Sequence, residues 1–186
     1  MAHAQSDPEL PEDLVLSVER CHPEARLPAR ARPGDAGLDL QSCEEVLLKP
    51  GETRAVRTGL RLAIPEGFEA QIRPRSGLSL HTPLRIPNAP GTIDSGFRDE
   101  LCVLLQNTSR PCVLRPDDGC LEPLATDTRG NVQGTYRIRP GDRIAQMVLA
   151  RLPDITLRPV ESVADLGQNR GGGFGHTGTG RRGHGV

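Results

Sequence analysis

Aromatic residues are scarce in this 186-residue chain, which has three phenylalanines, one tyrosine and no tryptophan. Its formal net charge is only −1. A nucleic-acid-binding protein needs a basic field and stacking rings, so the composition argues against a nucleic-acid partner. Apolar runs are short as well, with residues 101–105 among the longest. Because a membrane span needs about 18 apolar residues, we expect no membrane-spanning segment.

Targeting signals and metal-binding cysteine pairs are also missing. The N-terminus lacks the basic-then-apolar order of a signal peptide. We therefore expect a cytoplasmic protein whose five cysteines are thiols rather than disulfides. No two cysteines form a CxxC pair, which argues against a zinc site. Lys49 is the only lysine and no GxxxxGK loop occurs, so arginine must supply any cation that binds phosphate.

The chain has 21 glycines and 17 prolines, and this density favours short strands joined by turns. Aliphatic residues alternate, and no window of a dozen residues has a helical period. The spacing predicts an all-β sandwich or barrel with one helical turn at residues 76–80. The expected strands lie within residues 14–18, 37–40, 46–48, 57–64, 68–72, 97–105, 136–138, 144–150 and 155–160.

The length fits one domain. We expect a loose N-terminus at residues 1–12, a β domain at residues 13–169 and a flexible arm at residues 170–186, which contain eight glycines. Residues 108–135 are polar and interrupt the rhythm of the strands. Loops of this length are uncommon in compact domains and are often functional or mobile.

Residues 88–100, NAPGTIDSGFRDE, place Asp94 between Gly91 and Gly96. A carboxylate at such a position either forms an Asx-type turn or acts as a general base on a tight hairpin. Phe97 would then offer a ring face to a planar or sugar-like ligand.

Residues 73–80, RPRSGLSL, combine the guanidinium, hydroxyl and backbone donors that bind phosphate, although a basic surface turn has the same composition. In residues 141–148, GDRIAQMV, Asp142 and Arg143 are candidates for a simple surface pair. Gln146 is polar within an apolar strand, so it either faces outward or has a hydrogen-bond partner.

Two further segments carry polar chemistry. In residues 36–40, AGLDL, Asp39 is either a ligand-binding carboxylate or an outward-facing one. Residues 171–178, GGGFGHTG, place Phe174 in a glycine tract. Such a tract either forms an anion-binding nest or is a disordered end.

In this order, AGLDL, RPRSGLSL, GTIDSGFRDE, GDRIAQMV and GGGFGHTG resemble the five ordered motifs of the trimeric deoxyuridine triphosphatases (dUTP diphosphatases). The resemblance covers roughly residues 14–178. It implies a β-rich jelly roll of the β-clip type and a homotrimer whose active sites are shared between subunits. It also implies hydrolysis of dUTP to dUMP and pyrophosphate, which keeps uracil out of DNA and supplies dUMP for thymidylate synthesis.

By this resemblance, Asp94 would activate the water that attacks the α-phosphate. Phe97 stands where the family usually has tyrosine and would pack on the deoxyribose. The deoxyuridine would be held by the hairpin, through Asn88, Thr92, Ile93, Asp94, Phe97 and the backbone near Cys102.

The resemblance also implies which residues bind the phosphates and the metal. Asp39 would hold Mg²⁺ through water. The expected phosphate-binding residues of the β domain are Arg75, Ser76, Gly77 and Gln146. The arm would act as a lid through Arg170, Phe174, Gly175, His176 and Thr177, although the family's arm arginine usually lies five residues before the phenylalanine rather than four.

Two alternatives stay open. The first is a deoxycytidine triphosphate deaminase, or a bifunctional deaminase and dUTPase, because those enzymes resemble this family in fold. The second is a non-catalytic module that keeps the fold and binds a protein partner. Nothing in residues 108–135 names such a partner.

Overall fold

The computed structural model describes residues 14–111, 122–164 and 166–168. Within these ranges it contains short strands and a single helix, α1, at Ser76–His81. None of the described helical structure is long and apolar enough to cross a membrane. The strands are β1 Ser17–Arg20, β2 Leu38–Gln41, β3 Val46–Leu48, β4 Thr53–Arg57, β5 Leu60–Ala63, β6 Phe68–Arg73, β7 Leu84–Arg85, β8 Gly91–Ile93, β9 Cys102–Asn107, β10 Leu124–Ala125, β11 Tyr136–Ile138 and β12 Arg143–Arg151.

These strands form small sheets with the orders β1-β5, β10-β11-β3, β2-β12-β6-β8 and β4-β9-β7. Every pairing is antiparallel except that of β10 with β11. The architecture confirms the all-β jelly roll with one short helix. The core is aliphatic, as the shortage of aromatic residues requires, and its fully buried side chains include Leu40, Leu48, Leu60, Leu105, Ile138, Ile144 and Met147. Tyr136 is also buried there, and its hydroxyl donates to the carbonyl of Val132 at 2.8 Å.

The four-stranded sheet fixes the positions of the polar motifs. Gln146 of β12 lies opposite Asp39 of β2 on one side and opposite Arg73 of β6 on the other. These three residues form one row across the sheet. Residues directly opposite in an antiparallel pair project to the same face, so their side chains share a face.

Several expected strands match the structure, and others need correction. The expectations for residues 46–48 and 136–138 agree with β3 and β11. The strand expected over residues 57–64 is interrupted between β4 and β5 at Gly59. This glycine has φ +70°, and a Cβ there would lie 2.7 Å from the Cβ atoms of Ala25 and His22. The strand expected over residues 97–105 begins only at Cys102, because residues 97–101 are irregular and follow the turn that Phe97 closes by donating to Asp94.

The strand expected over residues 155–160 is wrong, since these residues form no strand. Alternating apolar residues become a strand only when their backbone groups find a partner, and no pairing is formed here. The short strands β7, β8 and β10 were not expected. Strands of two or three residues carry too little periodicity to be found in the sequence.

The chain divides into two units, Met1–Pro153 and Asp154–Val186. The first unit contains all the strands and the helix named above. The second unit is irregular wherever it is described. Its apolar side chains Ile155, Leu157, Val163 and Leu166 are all more than 60% exposed.

Asn107 joins the β domain to both ends of the interrupting segment, residues 108–135. Its side chain is fully buried. Nδ2 donates to the carbonyls of Leu48 at 2.9 Å and Gly134 at 2.8 Å, and Oδ1 accepts from the amide of Ser109 at 3.0 Å. One amide side chain therefore holds the point where the segment leaves the domain and the point where it returns.

Replacing Asn107 by alanine should lower the free energy of unfolding by about 2–4 kcal/mol, because it leaves buried backbone groups without partners. Urea titration at a fixed protein concentration measures this change. Gln106→Ala is the matched control, since this half-buried neighbour makes no side-chain hydrogen bond to the described residues. An Asn107→Ala protein as stable as the control would show that the buried amide does not hold the segment.

Candidate active site

Asp39, Arg75 and Arg143 form an ionic cluster at the end of the four-stranded sheet. Asp39 Oδ1 accepts from Arg75 Nε at 2.9 Å, and Oδ2 accepts from Arg143 Nη1 at 3.2 Å. The Asp39 side chain is only 16% exposed. Asp39 is therefore an ion-paired residue rather than a solvated surface carboxylate. Asp142 does not pair with Arg143, since its Oδ2 accepts from the amide of Arg139 at 2.9 Å.

Gln146, the polar residue within an apolar strand, has a hydrogen-bond partner. Its Nε2 donates to the carbonyl of Pro74 at 2.8 Å. Gly37 leaves room for this side chain, because a Cβ at position 37 would lie 3.2 Å from Gln146 Cδ and closer still to Oε1. The hydrogen bond fixes the chain just before Arg75.

Arg75, Ser76 and Gly77 lie together where β6 leads into α1. Arg75 is half-buried, has extended backbone angles of φ −90° and ψ 129°, and directly precedes the helix. Ser76 and Gly77 are exposed. Their amides begin the helix and have no partner within it, so they remain available as donors. The expected phosphate-binding residues of the β domain are thus brought together with Asp39.

Asp94 lies on the exposed turn that follows β8. The turn is closed by the backbone, with the Phe97 amide donating to the Asp94 carbonyl at 3.1 Å. The carboxylate makes no hydrogen bond to any residue that the structure describes. The Asx-type turn considered from the sequence is therefore not formed, and the Asp94 side chain is accessible. Phe97 beside it is half-buried.

The other hairpin residues expected to meet a nucleoside surround this turn. Thr92 and Asn88 are exposed and Ile93 is half-buried. A Cβ at Gly91 would lie 3.1 Å from Asn88 Nδ2, so the glycine allows the Asn88 amide to approach the strand. The peptide bond between Ala89 and Pro90 is cis.

A bidentate ion pair at the base of the hairpin was missed by the sequence reasoning. Arg57 Nε and Nη2 both donate to Glu100 Oε2, at 3.0 and 2.9 Å. Glu100 Oε1 also accepts from the amide of Gly59 at 2.9 Å. The pair joins the ends of β4 and β9 across 43 positions, and no local pattern in the sequence points to it.

Cys102 lies directly opposite Arg57 in the β4–β9 pairing. Burial, and next the Glu100 carboxylate, raise the pKa of the Cys102 thiol. The thiol is accordingly neutral at physiological pH, and thiolate chemistry is disfavoured. Cys21, Cys43 and Cys102 are the free cysteines among the described residues.

Within one chain, Asp94 and Arg75 are not brought together. Ile93, which precedes Asp94, lies opposite Ala70. Arg75 lies five residues further along the same strand direction, which corresponds to about 16 Å of extended chain. The backbone positions of Asp94 and Arg75 are therefore well separated within one chain.

The arm residues Arg170, Phe174, Gly175, His176 and Thr177 lie outside the described residues. Among those that are described, no group of three His, Cys, Asp or Glu side chains is arranged to hold a metal ion. The carboxylate that is ion-paired with Arg75 is that of Asp39.

Comparison with known proteins places these observations in a family. The dUTPase family model matches residues 23–115. A Syntrophotalea carbinolica protein named deoxyuridine 5'-triphosphate nucleotidohydrolase is 40% identical over 167 residues, which cover 89% of this chain and 97% of that protein.

Two solved structures have the same fold. A mutant of the Staphylococcus bacteriophage 80alpha dUTPase with dUpNHpp has a TM-score of 0.75 and 30% identity, covering 88% of this chain and 98% of that one. A mutant dUTPase from phage phi11 of S. aureus, described as showing the coordination of a structural Mg(II) ion, has a TM-score of 0.67 and 31% identity, covering 80% and 97%. With its motifs placed as described above, the chain belongs to the dUTPase family.

Proposed function

We propose that this protein hydrolyses dUTP to dUMP and pyrophosphate. The observation that carries the proposal is the accessible Asp94 carboxylate on its hairpin, in a chain whose sheet separately gathers Arg75, Gln146 and Asp39. An accessible carboxylate suits a general base, and a cluster that contains arginine suits the binding of a polyphosphate. The name of the Syntrophotalea carbinolica relative agrees with this reaction.

Asp94 would accept a proton from water as the water oxygen attacks the α-phosphorus. A bond forms between that oxygen and the α-phosphorus, and the bond from the α-phosphorus to the bridging oxygen of the β-phosphate breaks. Pyrophosphate leaves with the bonding electron pair. Arg75 and the Ser76 and Gly77 donors would hold the leaving phosphates, where negative charge grows during the reaction.

Mg²⁺ fits the donors that are present. Both Asp39 oxygens accept guanidinium hydrogen bonds, yet each keeps a lone pair that can accept from a metal-bound water. Mg²⁺ retains several waters and prefers phosphate oxygens, so a single carboxylate acting through water suffices. The bound ion would neutralise charge on the triphosphate.

The hairpin would hold the nucleoside. Backbone groups near Thr92 and Cys102, together with the Asn88 side chain, would meet the uracil and the sugar. The half-buried ring of Phe97 would pack on the deoxyribose and leave no room for a 2′-hydroxyl. The phenolic hydroxyl usual in the family is missing here, so any hydrogen bond from it is lost.

The active site would be completed by other copies of the chain. The distance between Asp94 and Arg75 supports this, because both are needed at one substrate. The exposed apolar residues of the second unit, such as Leu157 at 88%, also suit contact with another copy. We infer a homotrimer, in which residues 170–186 close over the bound nucleotide. The cytoplasmic location expected from the sequence suits an enzyme of the nucleotide pool and stays a prediction.

The two alternative functions receive less support. A deaminase needs a group that activates water for attack on the base. The free carboxylate of the hairpin, that of Asp94, lies instead in a motif that resembles those of the dUTP hydrolases. A non-catalytic module that binds a protein partner would not need the Asp94 carboxylate exposed on its hairpin. Constant ultraviolet absorbance when the protein is incubated with dCTP would exclude deamination, since removal of the cytosine amino group changes the chromophore.

The purified protein with Mg²⁺ should release pyrophosphate from dUTP and leave dTTP, dCTP and UTP largely intact. Asp94→Asn should retain nucleotide binding but lower turnover by about 10²-fold or more, because it removes the general base. A coupled pyrophosphate assay and calorimetry measure the two effects. Near-normal turnover by Asp94→Asn would contradict the role of Asp94, and a folded wild-type protein inert toward all four nucleotides would contradict the enzyme.

Two inactive variants, Asp94→Asn and Arg75→Ala, should restore activity when they are coexpressed and purified together. If each site takes Asp94 and Arg75 from different copies, random mixing leaves about a quarter of the sites with both residues intact. Each variant alone is the control. Absence of recovery in demonstrated mixed oligomers would place both residues of a site in one chain.

Deleting residues 170–186 should largely abolish hydrolysis while sparing the fold, because a glycine-rich end contributes little to the core. Circular dichroism, thermal unfolding and the pyrophosphate assay distinguish the two properties. Loss of folding would instead identify the arm as a structural element.

A further inference from the structure

A groove of about 340 Å³ lies beside the ionic cluster. One wall carries residues already proposed to bind phosphate, Arg75 and Gly77, together with Arg143. The other wall is formed by Thr126, Asp127 and Arg129, which belong to the segment interrupting the strands. The volume is in the range of ordinary ligand sites.

The second wall is held in place on both sides of Arg129. Before it, β10 pairs with β11, and the Thr128 amide donates to the Ala125 carbonyl at 3.1 Å. After it, the Asn131 amide donates to the carbonyl of His81, in the last turn of α1, at 2.9 Å. Asn131 has φ 52°, in the left-handed region that asparagine tolerates better than most residues. The backbone around Arg129 is therefore fixed against α1.

The charges around the groove call for another cation beside a polyphosphate. Arg75 and Arg143 share the carboxylate of Asp39, and the carboxylates of Asp127 and Asp142 also line the groove. Arg75 and Arg143 alone therefore do not offset the negative charge of a bound triphosphate. Arginine is well suited to add the remainder, because its planar guanidinium bonds phosphate oxygens in pairs.

Resting on the proposed function, we propose that Arg129 is a further binding residue for the terminal phosphates of dUTP, placed across the groove from Arg75 and Arg143. The interrupting segment thereby takes part in substrate recognition. Since it would meet only the distal phosphates, Arg129 favours dUTP over nucleotides with fewer phosphates. Asp127 on the same wall has the opposite charge and opposes the bound anion.

Equilibrium binding of dUpNHpp and of dUMP tests this proposal without turnover. Arg129→Gln should raise the dissociation constant for dUpNHpp about tenfold, as expected for loss of a charge-assisted hydrogen bond, and leave that for dUMP unchanged. Asp127→Asn should tighten dUpNHpp binding. Arg110→Gln is the control, since this exposed arginine of the same segment does not line the groove.

Unchanged dUpNHpp affinity in Arg129→Gln would overturn the proposal. An Arg129→Gln protein that loses as much affinity for dUMP as for dUpNHpp would also overturn it. The same holds if Asp127→Asn weakens dUpNHpp binding as much as Arg129→Gln does, because either result would mean that the segment acts through its structure rather than its charge. Failure of the proposed function has a different signature, namely a wild-type protein that releases no pyrophosphate. The Arg129 measurement keeps its meaning in that case, because it requires only binding.

Discussion

The ion pairs of Asp39 with Arg75 and Arg143 depend on the register of β12 between β2 and β6. Gln146 lies opposite Asp39 and Arg73, so a slip of one residue would turn the whole polar row toward the core. Burial of Met147 and Leu40 on the other face makes such a slip costly. The aliphatic core therefore determines where the candidate phosphate-binding residues are, although it touches none of their charges.

The same sheet also sets the spacing between Asp94 and Arg75. β8 pairs with the first part of β6, and Arg75 follows the last part of β6. An antiparallel sheet holds such positions apart by a fixed rise for each residue. This spacing supports the proposal that another copy of the chain supplies one part of the site, in which case catalysis is coupled to self-association.

Residues 108–135 look peripheral in the sequence, yet their described part is tied to the domain. Asn107 binds Gly134 and Ser109, and Asn131 binds His81 of α1. Chain held at these points forms a wall of the groove rather than a free loop. This placement gives Arg129 its proposed role, which its place in a polar segment of the sequence does not suggest.

The sequence by itself determined the β-rich class, the aliphatic core, the helix at residues 76–80 and the residue types at the candidate site, because alternation, turn chemistry and five ordered motifs are local signals. It did not determine which of those residues meet. The partners of Gln146 and Asp39, the bidentate pair of Arg57 with Glu100 and the separation of Asp94 from Arg75 all follow from strand pairing between distant segments. The expected strand at residues 155–160 failed for the same reason, since alternation records a preference, and only a paired backbone makes a strand.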